Sequence, residues 1–480
     1  MENERLTVYQ DSVVEKDSTT YFLASTDEGD KLLGVKGDAS DFEGEWQDGM
    51  LLCRMTTKNL SVLRARLEWL RPVCLGLGTS FGFGDRLGLA TPGHVCAVQH
   101  FDGIAAIFAQ QSVRENARTG RTPQQVMDDA TWGVFQAGWR RPWGADADHL
   151  KTADAVDAFV AAGYTLYTID PGEHVDDEAH ITALAQLEAK VEALPWGALE
   201  STMRDMEQRY LKHTFDLEGL LIAFDREKLY RAAAKYGRAV AHTAAMYRYL
   251  EQAMGDRPFE LEVSVDETET PTSPEEHLYV ASELGRLGVR WVSLAPRYIG
   301  RFEKGVDYIG GLSEFETELA KHAAIARAFG PYKLSVHSGS DKFSIYRVTV
   351  GRTAGLVHVK TAGTSYLEAL RTVASVDPGF FREILALARQ RYEMDRATYH
   401  VSAELREVPT PGALSDCDLP GLFEGFDARQ VLHVTFGSVL DRFGDRLLST
   451  LETHEEVYAE LLERHFCRHL SRFAEGLTLV

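Results

Sequence analysis

Cysteine is scarce in this chain. Five thiols, Cys53, Cys74, Cys96, Cys417 and Cys467, are scattered through 480 residues with no C-x-x-C pair. That excludes a disulfide framework and a thiolate zinc site. Long apolar runs are missing too. The N-terminal MENERLTVYQ has no apolar signal core and no window approaches a membrane span, so the chain reads as cytoplasmic, without a membrane partner. Basic charge is also short: 51 Lys and Arg against 72 Asp and Glu leave a net charge of −21. With no basic stripe interleaved with aromatics, nucleic acid is excluded as a partner. Repeats, low-complexity tracts and disordered linkers are absent. What remains, 44% hydrophobic and 26% charged, is an ordinary globular composition with enough chain for a large core.

Residues 1–65 carry short runs such as TTYFLAS, KLLGVKG and MLLCRMT between Gly/Asp-rich turns, the pattern of a small β-rich cap or subdomain. From Pro72 the rhythm changes to apolar runs alternating with helical patterns. Candidate strands are 73–78, 104–110, 144–150, 164–170, 259–266, 289–295, 332–338 and 355–360. Eight of them match an α/β fold of TIM type, a (β/α)8 barrel over 66–375 with a mostly helical insertion at 178–258. Residues 376–480 read as a mostly helical extension packed on the barrel, around one further apolar run, VLHVTFG.

Functional groups of such a barrel project from the C-terminal ends of the strands. The fourth candidate runs into TIDPGEHVDD, which delivers Glu173 and His174 together; an acid beside an imidazole can supply a base and a metal ligand. Alternation in ELEVSVDE puts Glu262, Ser264 and Asp266 on one face, with Glu267 opening the loop. By the same count KLSVHSGSDK turns Ser335 and His337 inward, and GLVHVK turns His358 and Lys360 inward. Each histidine alone reads as an ordinary core residue. Together with strand-end acids they read as a divalent-metal site of His and carboxylate ligands, suited to zinc, manganese, nickel or cobalt. WGADADHLKT supplies Asp146 and Asp148 on one face, then His149 and Lys151. Asp148, His149 and Lys151 read as sugar contacts, and an N-cap role for Thr152 competes with that reading.

GLGTSFGFGDR offers Gly78, Gly82 and Gly84 at G-x-x-x-G-x-G spacing, which suits a pyrophosphate at a helix N-terminus. The Y-x-x-x-K pair of the corresponding dehydrogenases is nowhere in the chain, and Pro92 interrupts the helix that should follow. NAD is therefore not expected.

The succession LGTSFGFGDR, GADADHLKT, TIDPGEHVDD, EVSVDETETPT, HSGSDKFS and HVKTAGTSY resembles the tagaturonate epimerase family, in order, from about residue 70 to beyond 440. The resemblance implies a metal-dependent barrel enzyme that interconverts the ketouronates D-tagaturonate and D-fructuronate, with homo-oligomerisation left open. The epimerised carbon is β to the ketone, so its C–H is not acidified by enolisation and retro-aldol chemistry is the expected route. On strand-end logic Glu173 is the expected base and Glu267 the acid, with Asp266 as its alternative and otherwise a substrate contact. His174, His337 and His358 are the expected metal ligands, and Lys151, Lys342 and Lys360 the candidates for the substrate carboxylate. Two rival readings are a metal-dependent aldose–ketose isomerase on a related uronate and a non-catalytic sugar-acid sensor.

Overall fold

The alternating rhythm after Pro72 resolves into eight parallel strands in a computed structural model of the chain, which describes residues 6–478. They are β1 (Ser80–Phe83), β2 (Ala105–Ser112), β3 (Trp143–Leu150), β4 (Leu166–Ile169), β5 (Glu260–Val265), β6 (Ser293–Pro296), β7 (Lys333–Val336) and β8 (Val357–Thr361). They pair in sequence order and β8 closes on β1. The TIM-type expectation is met, with one correction to the strands. Residues 73–78 form no strand. Gly76 adopts φ +63, a left-handed turn that an extended run cannot contain, and β1 is the SFGF that follows.

Strand parity explains the composition of the interior. Phe81 and Phe83 of β1 face outward onto the last helix, Glu455–Leu477, through Phe466 and Phe473. Ser80 and Gly82 alternate with them and turn into the barrel. There they meet Asp146, Thr168, Glu262, Ser293, Lys333, Ser335, His358 and Lys360, all buried. A barrel centre is usually filled by branched apolar side chains; this one is filled by paired charges and hydroxyls. The glycine motif belongs to that packing. A Cβ at Gly82 would collide with the Gln110 side chain, and one at Gly84 with the Thr361 carbonyl.

The segment 178–258 is only partly as expected. It holds the helices Leu184–Glu192 and Met203–Tyr210, and also an antiparallel hairpin, Thr214–Leu217 with Leu220–Ala223. Its long helix Arg226–Met254 packs on Ala153–Ala162 and Pro274–Arg286, the helices after β3 and β5, and so takes the barrel position between β4 and β5. Before the barrel, six short strands between Thr7 and Arg54 form an antiparallel sheet, tied to the barrel by Lys31 Nζ donating to Gln136 and Glu455. After it come helices Pro378–Asp395, Phe426–Val434, Phe436–Thr453 and the last helix, with VLHVTFG spanning the junction of the second and third at Thr435. Among the described residues no helix is long and apolar enough to cross a membrane.

Candidate active site

The C-terminal mouth of the barrel gathers two histidines by two different routes. His337 follows β7 directly, at the inward parity of Ser335. His149 arrives through a β-bulge. Tyr167 pairs with Ala147 and Ile169 with Leu150, so β3 carries one extra residue there, and His149 takes φ +57. A bulge re-aims side chains beside functional sites. Without it, alternation from Asp146 and Asp148 would turn His149 outward.

Each imidazole is held from behind by a carboxylate. Asp148 Oδ1 lies 2.8 Å from His149 Nδ1, and Glu262 Oε1 lies 2.7 Å from His337 Nε2. The remaining ring nitrogens, His149 Nε2 and His337 Nδ1, are buried and make no well-aligned hydrogen bond among the described residues. Both approach Asp266 Oδ1, at 3.7 and 3.2 Å. Two carboxylate-backed imidazoles whose second nitrogens approach a further carboxylate could hold a divalent cation. The electrostatics agree. Burial pushes both imidazoles down, but the surrounding carboxylates outweigh it: Asp148 foremost holds His149 well above the usual range, and Asp266 foremost lifts His337 to about 9. Burial pushes Asp266 up, and His337 foremost draws it well below the ordinary carboxyl range. Protons retained in this way mark a place that stabilises positive charge.

Lys360 braces the web from below. Its Nζ lies 2.8 Å from Asp146, 2.7 Å from Asp148 and 2.8 Å from Glu262, and donates to Thr168 Oγ1 at 2.6 Å. Three anions around one ammonium leave it committed, and the expectation that it meets a substrate carboxylate does not fit that geometry. Lys342 does not either: it is buried, donating to the carbonyls of Glu303, Val306 and Ser340 at 2.8, 2.5 and 3.0 Å. Lys151 is partly exposed and pairs with Asp170 and Glu173 at 3.5 and 3.7 Å.

The expected ligands divide. Ligand-capable atoms within 4.8 Å of one another join Asp148, His149 and His337, and separately His149, Asp170 and Glu267; His174, His358 and Asp266 are not among them. Beyond Pro171 the chain enters a short 3-10 turn, and His174 is exposed, stacked on His242 at 4.0 Å. His358 does point inward, but it sits beneath the web with Nδ1 3.0 Å from Ser80 Oγ and Nε2 4.0 Å from Asp146. Glu173, with its side chain 72% exposed, lines none of the mouth. Glu267 does line it, held by Arg114 at 3.1 Å. Burial raises its carboxyl, yet His149 foremost and Arg114 more than offset this and leave it below the usual range. Glu267 does not cap the next helix, because Ser273 and Glu276 form that capping box. Thr152 precedes the helix after β3 without a side-chain cap.

Above the web lies a cleft whose outer chamber measures about 550 Å³, within the range of small-molecule sites. Its cationic groups escaped the sequence reading. Arg114 lies in the first turn of the helix after β2, two residues beyond the strand end. Arg86 is buried against Glu115 at 2.7 Å and stacks over Phe436 at 3.8 Å. Lys304 reaches in from the loop after β6 and donates to Ser338 Oγ at 2.7 Å. Among the described residues no carboxylate lies within 4.0 Å of its Nζ. Burial and the neighbouring charge of Arg114 lower its pKa. Tyr399 and His400 close the cleft from the C-terminal extension. Arg114 follows a strand closely enough for the strand-end rule to find; Lys304 and Tyr399 carry no local signal.

The tagaturonate epimerase family model matches residues 9–473. A Thermotoga maritima tagaturonate/fructuronate epimerase is 46% identical over 472 residues, covering 96% of both chains. The native crystal structure of a fructuronate-tagaturonate epimerase from Cohnella laeviribosi matches with a TM-score of 0.93 at 39% identity, over 98% of this chain and 96% of that one. A glycerol complex of the same protein matches with a TM-score of 0.92. A family model that spans nearly the whole chain, together with relatives of matching length and fold, settles the assignment: this chain belongs to the tagaturonate epimerase family and is an isomerase.

Proposed function

We propose that the chain interconverts D-tagaturonate and D-fructuronate, inverting the hydroxylated carbon β to the ketone by retro-aldol cleavage and re-addition on a divalent-metal site. The observation that carries this reading is the pair of buried, unpartnered ring nitrogens of His149 and His337 converging on Asp266. His149, His337 and Asp266 would hold the cation, with Asp148 and Glu262 fixing the two tautomers. This moves His149 and Asp266 from substrate contacts to ligands and leaves His174 and His358 out of the set. A divalent cation bound there supplies Lewis-acid polarisation of the ketone and offsets the negative charge that develops on bond cleavage.

The chain's own groups handle proton and fragment. Glu267 faces the cleft, and its lowered pKa keeps it ionised, as a base must be. It takes the proton of the hydroxyl on the carbon to be inverted. The bond from that carbon to its neighbour next to the ketone breaks, its electron pair passes into the ketone half as an enolate, and the hydroxyl oxygen becomes an aldehyde oxygen. Lys304, whose Nζ has no carboxylate within 4.0 Å among the described residues, holds the aldehyde half through its carboxylate while that half presents its other face. The bond re-forms and Glu267 returns the proton to the new alkoxide.

Turnover of both ketouronates, with exchange of isotopically labelled dihydroxyacetone into the substrate pool, is the expected result. Solvent deuterium appearing at the inverted carbon would overturn bond cleavage. Full activity after exhaustive chelation would overturn the metal site.

A further inference from the structure

Lys342 is a buried lysine with no obvious business where it stands. It lies after β7, its Nζ sealed from solvent, and it donates to three main-chain carbonyls rather than to a side chain. Two of those carbonyls, Glu303 and Val306, bracket Lys304 in the loop after β6. The third, Ser340, belongs to the loop after β7 that carries Ser338, the acceptor of the Lys304 ammonium. One side chain therefore fastens together the loop that presents Lys304 and the loop that receives it.

The rest of the surroundings point the same way. Arg429 from the C-terminal extension donates through Nε to the Gly305 carbonyl, and Glu303 accepts from Gln430 at 2.9 Å and from Ser402 Oγ at 2.7 Å. Every residue from Glu303 to Val306 except Lys304 is thus pinned from behind. Burial pushes the Lys342 ammonium down to about 7, with Asp341 and Asp307 pulling it up and Lys304 and Arg429 pushing it down. Tyr346 completes the enclosure, its hydroxyl accepting from the Lys342 amide. A buried lysine whose titration is displaced this far by its surroundings is a recurrent mark of a functional site.

We infer that Lys342 is a positioning residue: by clamping both loops it fixes the Lys304 ammonium at the place where the carboxylate of a sugar acid docks, and so sets the preference for acid over neutral sugar. The inference rests on the assignment of Lys304 to the substrate carboxylate. Sequence alone picks out Lys342 for that carboxylate; the structure gives it an indirect part.

The test compares Lys342→Met, Ser338→Gly and Lys304→Met. Ser338 has φ +49, which glycine adopts without strain, and it lies outside the buried clamp, so this variant does not depend on the core accepting a neutral side chain. Each is assayed for KM on the ketouronate and for Ki of a neutral ketohexose as competitor, with thermal melting alongside. Lys342→Met and Ser338→Gly are expected to raise KM for the acid about tenfold or more, near 1.4 kcal/mol of binding, while the neutral Ki stays within about twofold of the parent. A general loosening of the fold would weaken both ligands together, and that result overturns the inference, as does no change in either. If Lys304→Met raises KM but neither of the other two does, the positioning role fails while the carboxylate assignment stands. If Lys304→Met leaves KM unchanged, the carboxylate assignment fails, and the inference fails with it.

Discussion

Two clusters in this molecule are built from the same residue types. One joins Asp148, His149 and His337 at the barrel mouth; the other joins Asp341, His465 and His469 behind the loop after β7. All of the second cluster is buried, and each of its imidazoles is hydrogen-bonded within the fold. His465 meets Thr364 Oγ1 at 2.5 Å and Asp341 at 3.1 Å through Nε2, and Glu368 at 3.3 Å through Nδ1. His469 accepts from the Asp341 amide at 2.9 Å and donates Nδ1–H to the His465 carbonyl at 3.0 Å. At the mouth, one nitrogen of each histidine makes no hydrogen bond among the described residues and approaches Asp266 Oδ1, at 3.7 and 3.2 Å. Composition does not distinguish a ligand set from a structural knot. What separates the two clusters is the ring nitrogen left without a hydrogen bond at the mouth.

The sharpest break of that comparison is His149→Ala, or His337→Ala. Each should lower kcat/KM on the order of a thousandfold and strip bound metal as read by elemental analysis. Equal loss of metal in His469→Gln would erase the distinction between the clusters. A smaller effect is expected of His469→Gln itself, and it concerns acid stability. Burial, with the charge of His465, pushes His469 down to about 3, whereas an unfolded imidazole titrates near 6.5. As pH falls through that unfolded value the unfolded chain takes up the proton first, so stability is lost. Between pH 7 and pH 5 this one side chain should remove about 2 kcal/mol from the wild type, and His469→Gln should abolish that share in denaturant titrations at the two pH values. Least of all should come from Glu173→Gln, within about twofold of wild-type kcat/KM, because exposed ion pairs such as Lys151–Glu173 contribute little.

Strand alternation carried the sequence reading a long way. It turned His337, His358, Lys360, Glu262 and Asp266 correctly inward, because a residue's face follows from a period of two. Depth does not follow. His358 stands two residues before Lys360 on β8, roughly 7 Å further down a strand that rises about 3.3 Å per residue, and so it falls beneath the mouth. His149 was legible as a polar strand end but not as an inward-facing one, since the bulge that re-aims it leaves no mark in the alternation. Glu173 and His174 sit at the right strand end but leave it in a turn that heads for solvent. Lys304 and Tyr399 are placed by contacts between segments distant in sequence, which no local pattern encodes.

The packing of the last helix on β1 has a consequence for how the molecule comes into being. Phe81 is the outward face of the first strand, and Phe466 and Phe473 that cover it leave the ribosome only after all eight barrel strands have been made. Until they arrive, that apolar face stays open to water and to other nascent chains. His469, on the same helix, accepts from the backbone amide of Asp341, the residue next to Lys342. Completion of the barrel and organisation of its mouth therefore wait on one late event. A chain that stops short of this helix would be a liability to the cell, prone to aggregation rather than partly active.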